Sequence, residues 1–183
     1  MPSETVSFVL KTSDLTYGST TSAGVADLLG TTFTWNNINL RVLLGDLYDK
    51  YDRFNLNLNT IASSIASAYT GTADDRCTYL TIAGLPWINN SYSVSSNCNT
   101  NATVIASVFI TSNAQTTQYF YGNNTSTFTK NQDVCNITIS FLKISDNTKP
   151  TPSGAFPKMI FIFDIEGVDN YKVQDITQAR ILK

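Results

Sequence analysis

The chain has 183 residues, a length that suits one β-sandwich domain over 1–183, able to bury about 70% of its unfolded surface without a disulfide or metal. Charged residues make up 14%, against about 25% in an ordinary globular chain, and Asn, Ser and Thr fill the difference. The formal net charge is −2 and the 12 Lys and Arg are scattered, which argues against a direct nucleic-acid partner, since phosphate neutralisation needs clustered cations.

Met1-Pro2-Ser3-Glu4 lacks the charged and then apolar regions of a signal peptide, and none is expected. No apolar run approaches the ~20 residues of a membrane span. In chain order, eight segments rich in Val, Ile, Thr and aromatics read as strands: 6–10, 33–43, 54–62, 77–83, 103–111, 117–121, 136–144 and 159–165. Turn clusters separate them at 18–24, 70–75, 97–101, 122–126 and 146–154, the last holding Pro150 and Pro152. Helical signal is thin: one or two turns within 42–51, and a second stretch in the tail from Tyr171 to Lys183. The pattern predicts an all-β fold, a single jelly-roll β-sandwich of about eight antiparallel strands with little helix.

Three strands carry more detail. Residues 54–59 alternate so that Phe54, Leu56 and Leu58 share one face and Asn55, Asn57 and Asn59 the other. Asn is depleted in strands, and a solvated face more often carries Lys, Glu or Thr, so the three asparagines are candidate interface residues. Residues 136–141 repeat the alternation, with Ile137, Ile139 and Phe141 inward. Residues 159–163 are apolar throughout, which predicts a strand covered on both faces.

No histidine is present, which removes Ser-His-Asp and Cys-His catalysis and the usual base near neutral pH. The only glutamates are Glu4 and Glu166. Asp164 and Glu166, two apart on one strand face, lie side by side rather than across a cleft, so they read as solvated charges and not as a glycosidase pair. Adding Asp169 does not reproduce a looped calcium site. No catalytic, cofactor or metal residue is assigned. Cys77, Cys98 and Cys135 read as small hydrophobes or free thiols, with a Cys98–Cys135 disulfide left open. Sequons at Asn89, Asn101, Asn123, Asn124 and Asn136 are no more than such a composition produces by chance. Trp35, on an alternating strand, is expected in the core. Trp87, after Gly84-Leu85-Pro86, is a corner plug or an interface anchor.

Three stretches together resemble a known family: 33–40 (FTWNNINL) with 47–56 (LYDKYDRFNL), 79–92 (YLTIAGLPWINNSY), and 161–169 (FIFDIEGVD). Their order and spacing are similar to those of the single jelly-roll minor capsid and penton-type proteins of large icosahedral double-stranded DNA viruses. The resemblance implies a non-enzymatic virion subunit, assembled in the host cell. Its partners would be other capsid proteins, including the major capsid protein, and further copies of itself in a pentamer or trimer. The alternative is a carbohydrate-binding or host-attachment β-sandwich module using exposed aromatics.

Overall fold

The computed structural model describes residues 4–63, 77–88, 102–109, 118–120, 125–151 and 158–168. Among them lie eleven strands: β1 (Thr5–Lys11), β2 (Thr16–Tyr17), β3 (Gly24–Ala26), β4 (Thr32–Asn39), β5 (Arg53–Ser63), β6 (Cys77–Ala83), β7 (Ala102–Phe109), β8 (Gln118–Phe120), β9 (Thr125–Thr129), β10 (Val134–Lys143) and β11 (Met159–Val168). Two short helices, α1 (Leu40–Leu44) and α2 (Leu47–Lys50), follow β4. The expected turn clusters at 70–75 and 97–101 and the expected helical tail lie outside the described residues.

The strands form two sheets of a β-sandwich. One sheet runs β1-β11-β5, with β8 and β9 pairing different stretches of β5; the other runs β2-β3-β4-β10-β6-β7. Every pairing is antiparallel except the short β2–β3 contact. Counting β8 and β9 as one position and setting aside the short β2 and β3 leaves eight positions, and their pairing is nested. The first pairs with the eighth (β1–β11), the second with the seventh (β4–β10), the third with the sixth (β5–β8/β9), and the fourth with the fifth (β6–β7).

The core lies between the sheets and is built by alternation. In β10, Cys135, Ile137, Ile139 and Phe141 point inward. Opposite them, β11 contributes Met159, Phe161, Phe163 and Ile165. Phe161 is fully buried and meets three aromatics of the other sheet: Phe33 at 6.2 Å, Trp35 edge-on at 6.0 Å and Phe141 at 6.2 Å between centroids. Trp35 is in the core as expected, its Nε1 donating to the Lys11 carbonyl over 3.2 Å.

Several segments differ from the sequence expectation, each for a local reason. The apolar run 159–163 is not covered on both faces: Ile160 is 38% exposed and Ile162 half-buried, while their neighbours are buried. The expected strand 33–43 stops at Asn39, whose Oδ1 accepts from the Val42 backbone N–H at 3.1 Å and caps α1. The expected turn at 122–126 is partly β9, with Ser126 buried against β5.

A loop clamp closes the far side of the second sheet. The Asp27 carboxylate accepts from the Thr31 and Thr32 amides (2.7 and 3.0 Å), the Thr31 hydroxyl (2.8 Å) and Lys149 Nζ (2.8 Å). Burial alone raises the Asp27 pKa, but the bonds from Lys149, Thr32 and Thr31 outweigh it and hold the carboxyl below its usual range.

Candidate functional site

The asparagine strand forms the middle of a polar outer face. β5 pairs β11 on one side and β9 on the other, so outward residues line up in rows: Thr5, Glu166, Asn55 and Thr127 in one, Ser7, Asp164, Asn57 and Thr125 in the next. Within these rows the side chains bond sideways. Thr127 Oγ1 donates to Asn55 Oδ1 (2.8 Å) and Thr125 Oγ1 to Asn57 Oδ1 (2.6 Å). Short hydroxyl and amide groups match the spacing between strands, so Asn and Thr can satisfy each other without leaving the sheet surface. The Asn–Thr pairs are thereby neutral and self-bonded, and the charges of the two rows are Asp164 and Glu166.

Asn59 plays a different part. Thr60 pairs Ile162 and Leu58 pairs Phe163, so Asn59 is the extra residue of a β-bulge. The bulge turns both Asn59 and Thr60 outward and shifts the buried parity from Leu58 to Ile61. Asn59 Nδ2 donates to Asp164 Oδ2 at 2.6 Å, Thr60 Oγ1 donates to Asn59 Oδ1 at 2.7 Å, and Ser7 Oγ donates to Asp164 Oδ1 at 2.5 Å. Both oxygens of Asp164 are thus engaged in holding three strands together. Glu166 stands one row away on the same face, the side-by-side arrangement that strand spacing predicts. Asp169 lies outside the described residues. Past the bulge the outer face turns more apolar, with Lys11 and Thr60 among its residues: Val9 and Thr60 flank Ile162, and Lys11 and Ala62 flank Ile160.

Trp87 sits at the corner where the chain leaves β6 of one sheet and runs beside β9 of the other. After β6, Gly84 turns with φ +99°; a Cβ there would stand 1.7 Å from the Asn136 carbonyl oxygen, so only glycine fits. The chain then runs beside β9: Ile88 N–H donates to the Thr127 carbonyl (2.8 Å) and Thr129 N–H to the Pro86 carbonyl (3.0 Å). Trp87 is half-buried, standing edge-on to the buried Phe128 at 6.1 Å and 81°. It plugs this corner. Residues 84–88, with Thr129, Asn131 and Gln132, line a cavity of about 490 Å³. Gln132 Nε2 donates to the Gly84 carbonyl at 3.1 Å and so ties the β9–β10 turn to the corner. Trp87 Nε1 is the one buried side-chain polar atom without a hydrogen-bond partner among the described residues.

Thr127 joins the two regions: its hydroxyl bonds Asn55 and its carbonyl bonds Ile88. The asparagine face and the Trp87 corner therefore adjoin through β9, with Trp87 on its inner side beside Phe128. Asn131 and Gln132 escaped the sequence reading because they reach Trp87 only through the fold, from a turn of ordinary composition.

The remaining charged residues read as structural. Tyr48 lies between Arg41 and Lys130, 5.1 and 5.2 Å from its ring centre, and its hydroxyl donates to Asp133. That hydrogen bond raises the Tyr48 pKa. Among the described residues Cys135 is a buried thiol whose pKa burial pushes up to about 11. Cys98 lies outside the described residues, as do the sequons at Asn89, Asn101, Asn123 and Asn124. Asn136 is exposed in β10, its Oδ1 accepting from the Asn37 amide at 2.9 Å. Among the described residues no group of three His, Cys, Asp or Glu gathers as metal ligands, and no helix is long and apolar enough to cross a membrane. No protein-family model matches the chain, and no curated protein matches it.

Proposed function

We propose that the chain is a jelly-roll structural subunit of an icosahedral double-stranded DNA virus capsid, of the minor capsid or penton type, without catalytic chemistry. The observation that carries the reading is the nested pairing of eight strand positions across two sheets. A long antiparallel hairpin rolled into two sheets produces that order, and it is the architecture from which jelly-roll capsid domains are built. Fold alone does not set function, so the surface matters as a second support. An outer face satisfied by its own Asn–Thr and Asn–Asp bonds can be covered by a neighbour without stranding many charges. Interfaces of this kind draw on many modest, shape-matched contacts. In this reading the partners are the major capsid protein, other capsid proteins and further copies of the chain, and the protein resides in the virion.

Cryo-electron microscopy of whole particles from the source organism tests the proposal. Density for this sandwich in the shell, in a repeating arrangement, is the expected result. A purified chain that stays monomeric at high concentration, together with particles that assemble normally without it, would overturn it.

A further inference from the structure

We infer that the cavity beside Trp87 binds a neutral, polyhydroxylated ligand of mono- or disaccharide size. The inference does not rest on the capsid reading. The cavity, about 490 Å³, falls in the lower half of the range of small-molecule sites. Among the described residues no ionisable side chain lines it. An anionic sugar, a phosphate or a metal ion would therefore enter without a counter-charge, whereas hydroxyl groups need only amide and carbonyl partners.

Those partners are present and partly fixed. Gln132 spends its Nε2 on the Gly84 carbonyl, which orients the head group and leaves Oε1 as a placed acceptor. Asn131 is exposed and offers both amide functions, and Thr129 adds a hydroxyl at the end of β9. The apolar part of the lining is Pro86, Trp87 and Ile88, the last 47% exposed. A pyranose presents the same division: a C–H face that packs on an indole and an equatorial rim of hydroxyls that donate and accept.

The test uses the full chain labelled with 5-fluorotryptophan, whose two fluorine resonances report Trp87 and Trp35 separately. The methyl glycosides of glucose, galactose, mannose, N-acetylglucosamine and N-acetylneuraminic acid are titrated in turn. The expected result is a saturable shift of the Trp87 resonance with at least one neutral glycoside, while the core Trp35 stays still. Asn131→Ala makes no contact that the fold depends on, so it should keep the melting temperature and weaken that binding at least about tenfold. Gln132→Glu, which brings a charge into the neutral lining, should weaken it as well. No Trp87 shift with any neutral glycoside overturns the inference. So does binding of the anionic sugar alone, or binding that survives both variants unchanged.

Discussion

Replacing Phe161 with alanine tests the sandwich at the point where its two sheets meet. Phe161 is fully buried and touches Phe33, Trp35 and Phe141 of the opposite sheet. Buried Phe→Ala changes cost about 3–5 kcal/mol, from lost transfer energy and the cavity left behind. Three aromatic neighbours that cannot easily close the gap place the expected loss in the upper half of that range. Against a domain stability of about 5–15 kcal/mol the variant should still fold. With a urea m-value of about 2 kcal/mol per molar, the unfolding midpoint should fall by about 2 M. The neighbouring Ile160, at 38% exposure on the outer face, is the control. Ile160→Thr keeps the β-branch and should cost about 1 kcal/mol or less. Urea unfolding followed by circular dichroism measures both. Equal losses for the two variants would refute the one-sided burial of β11, and a loss below about 1.5 kcal/mol for Phe161→Ala would refute its place between the sheets.

Gly84→Ala should destabilise strongly and lower the melting temperature by several degrees, because its Cβ meets a backbone oxygen rather than a movable side chain; scanning calorimetry reads the change. Asp27 has a lowered folded-state pKa, so its contribution is present above the ordinary carboxylate pKa of about 3.9 and disappears as pH falls through the folded value. Asp27→Asn should therefore flatten the acid limb of the stability curve below about pH 4, and an unchanged limb would show that the clamp is not charge-dependent. Cys135, with its pKa raised to about 11, should resist iodoacetamide at pH 8 in the native state and react once unfolded, as peptide mass spectrometry would show. If the outer face docks in an assembly, the pair Asn57→Lys and Ile162→Lys should block association in native mass spectrometry while leaving the fold intact; unchanged association would place the contact elsewhere.

The strand cores were legible because alternation is a strong local signal, and it survives wherever one face is buried. The expected segments 54–62, 77–83 and 136–144 lie on β5, β6 and β10 with ends shifted by at most two residues. The failures sit where a local signal has two meanings. A run of apolar residues does not say whether its second face is covered, and Ile160 and Ile162 carry bulk on a surface that the single chain leaves open. Asn39 belongs to a β-rich stretch, yet its side chain closes on the Val42 amide and ends the strand there. Ser126 lies in a polar, turn-like segment, but pairing with Leu56 draws it into the sheet.

The candidate site was half legible for a related reason. Alternation placed Asn55, Asn57 and Asn59 on the outer face, where all three lie, but it did not show the bulge at Asn59. The bulge breaks the series at that residue and turns Thr60 outward beside it. A bulge depends on how two strands differ in length between fixed contacts, which neither strand reveals alone. The choice of asparagine follows from the same pairing. Each Asn Oδ1 meets a Thr hydroxyl, on β9 for Asn55 and Asn57 and on the next residue for Asn59, and Asn59 also binds Asp164 across the bulge. The residue type that made this strand stand out is thus first a device for joining β11, β5 and β9 along their outer edge. Whatever covers that face meets Asn and Asp164 oxygens that are already engaged, with the Glu166 carboxylate beside them. A complementary partner should therefore offer acceptors to the remaining Asn amide hydrogens, apolar side chains to Val9, Ile160 and Ile162, and donors to Glu166.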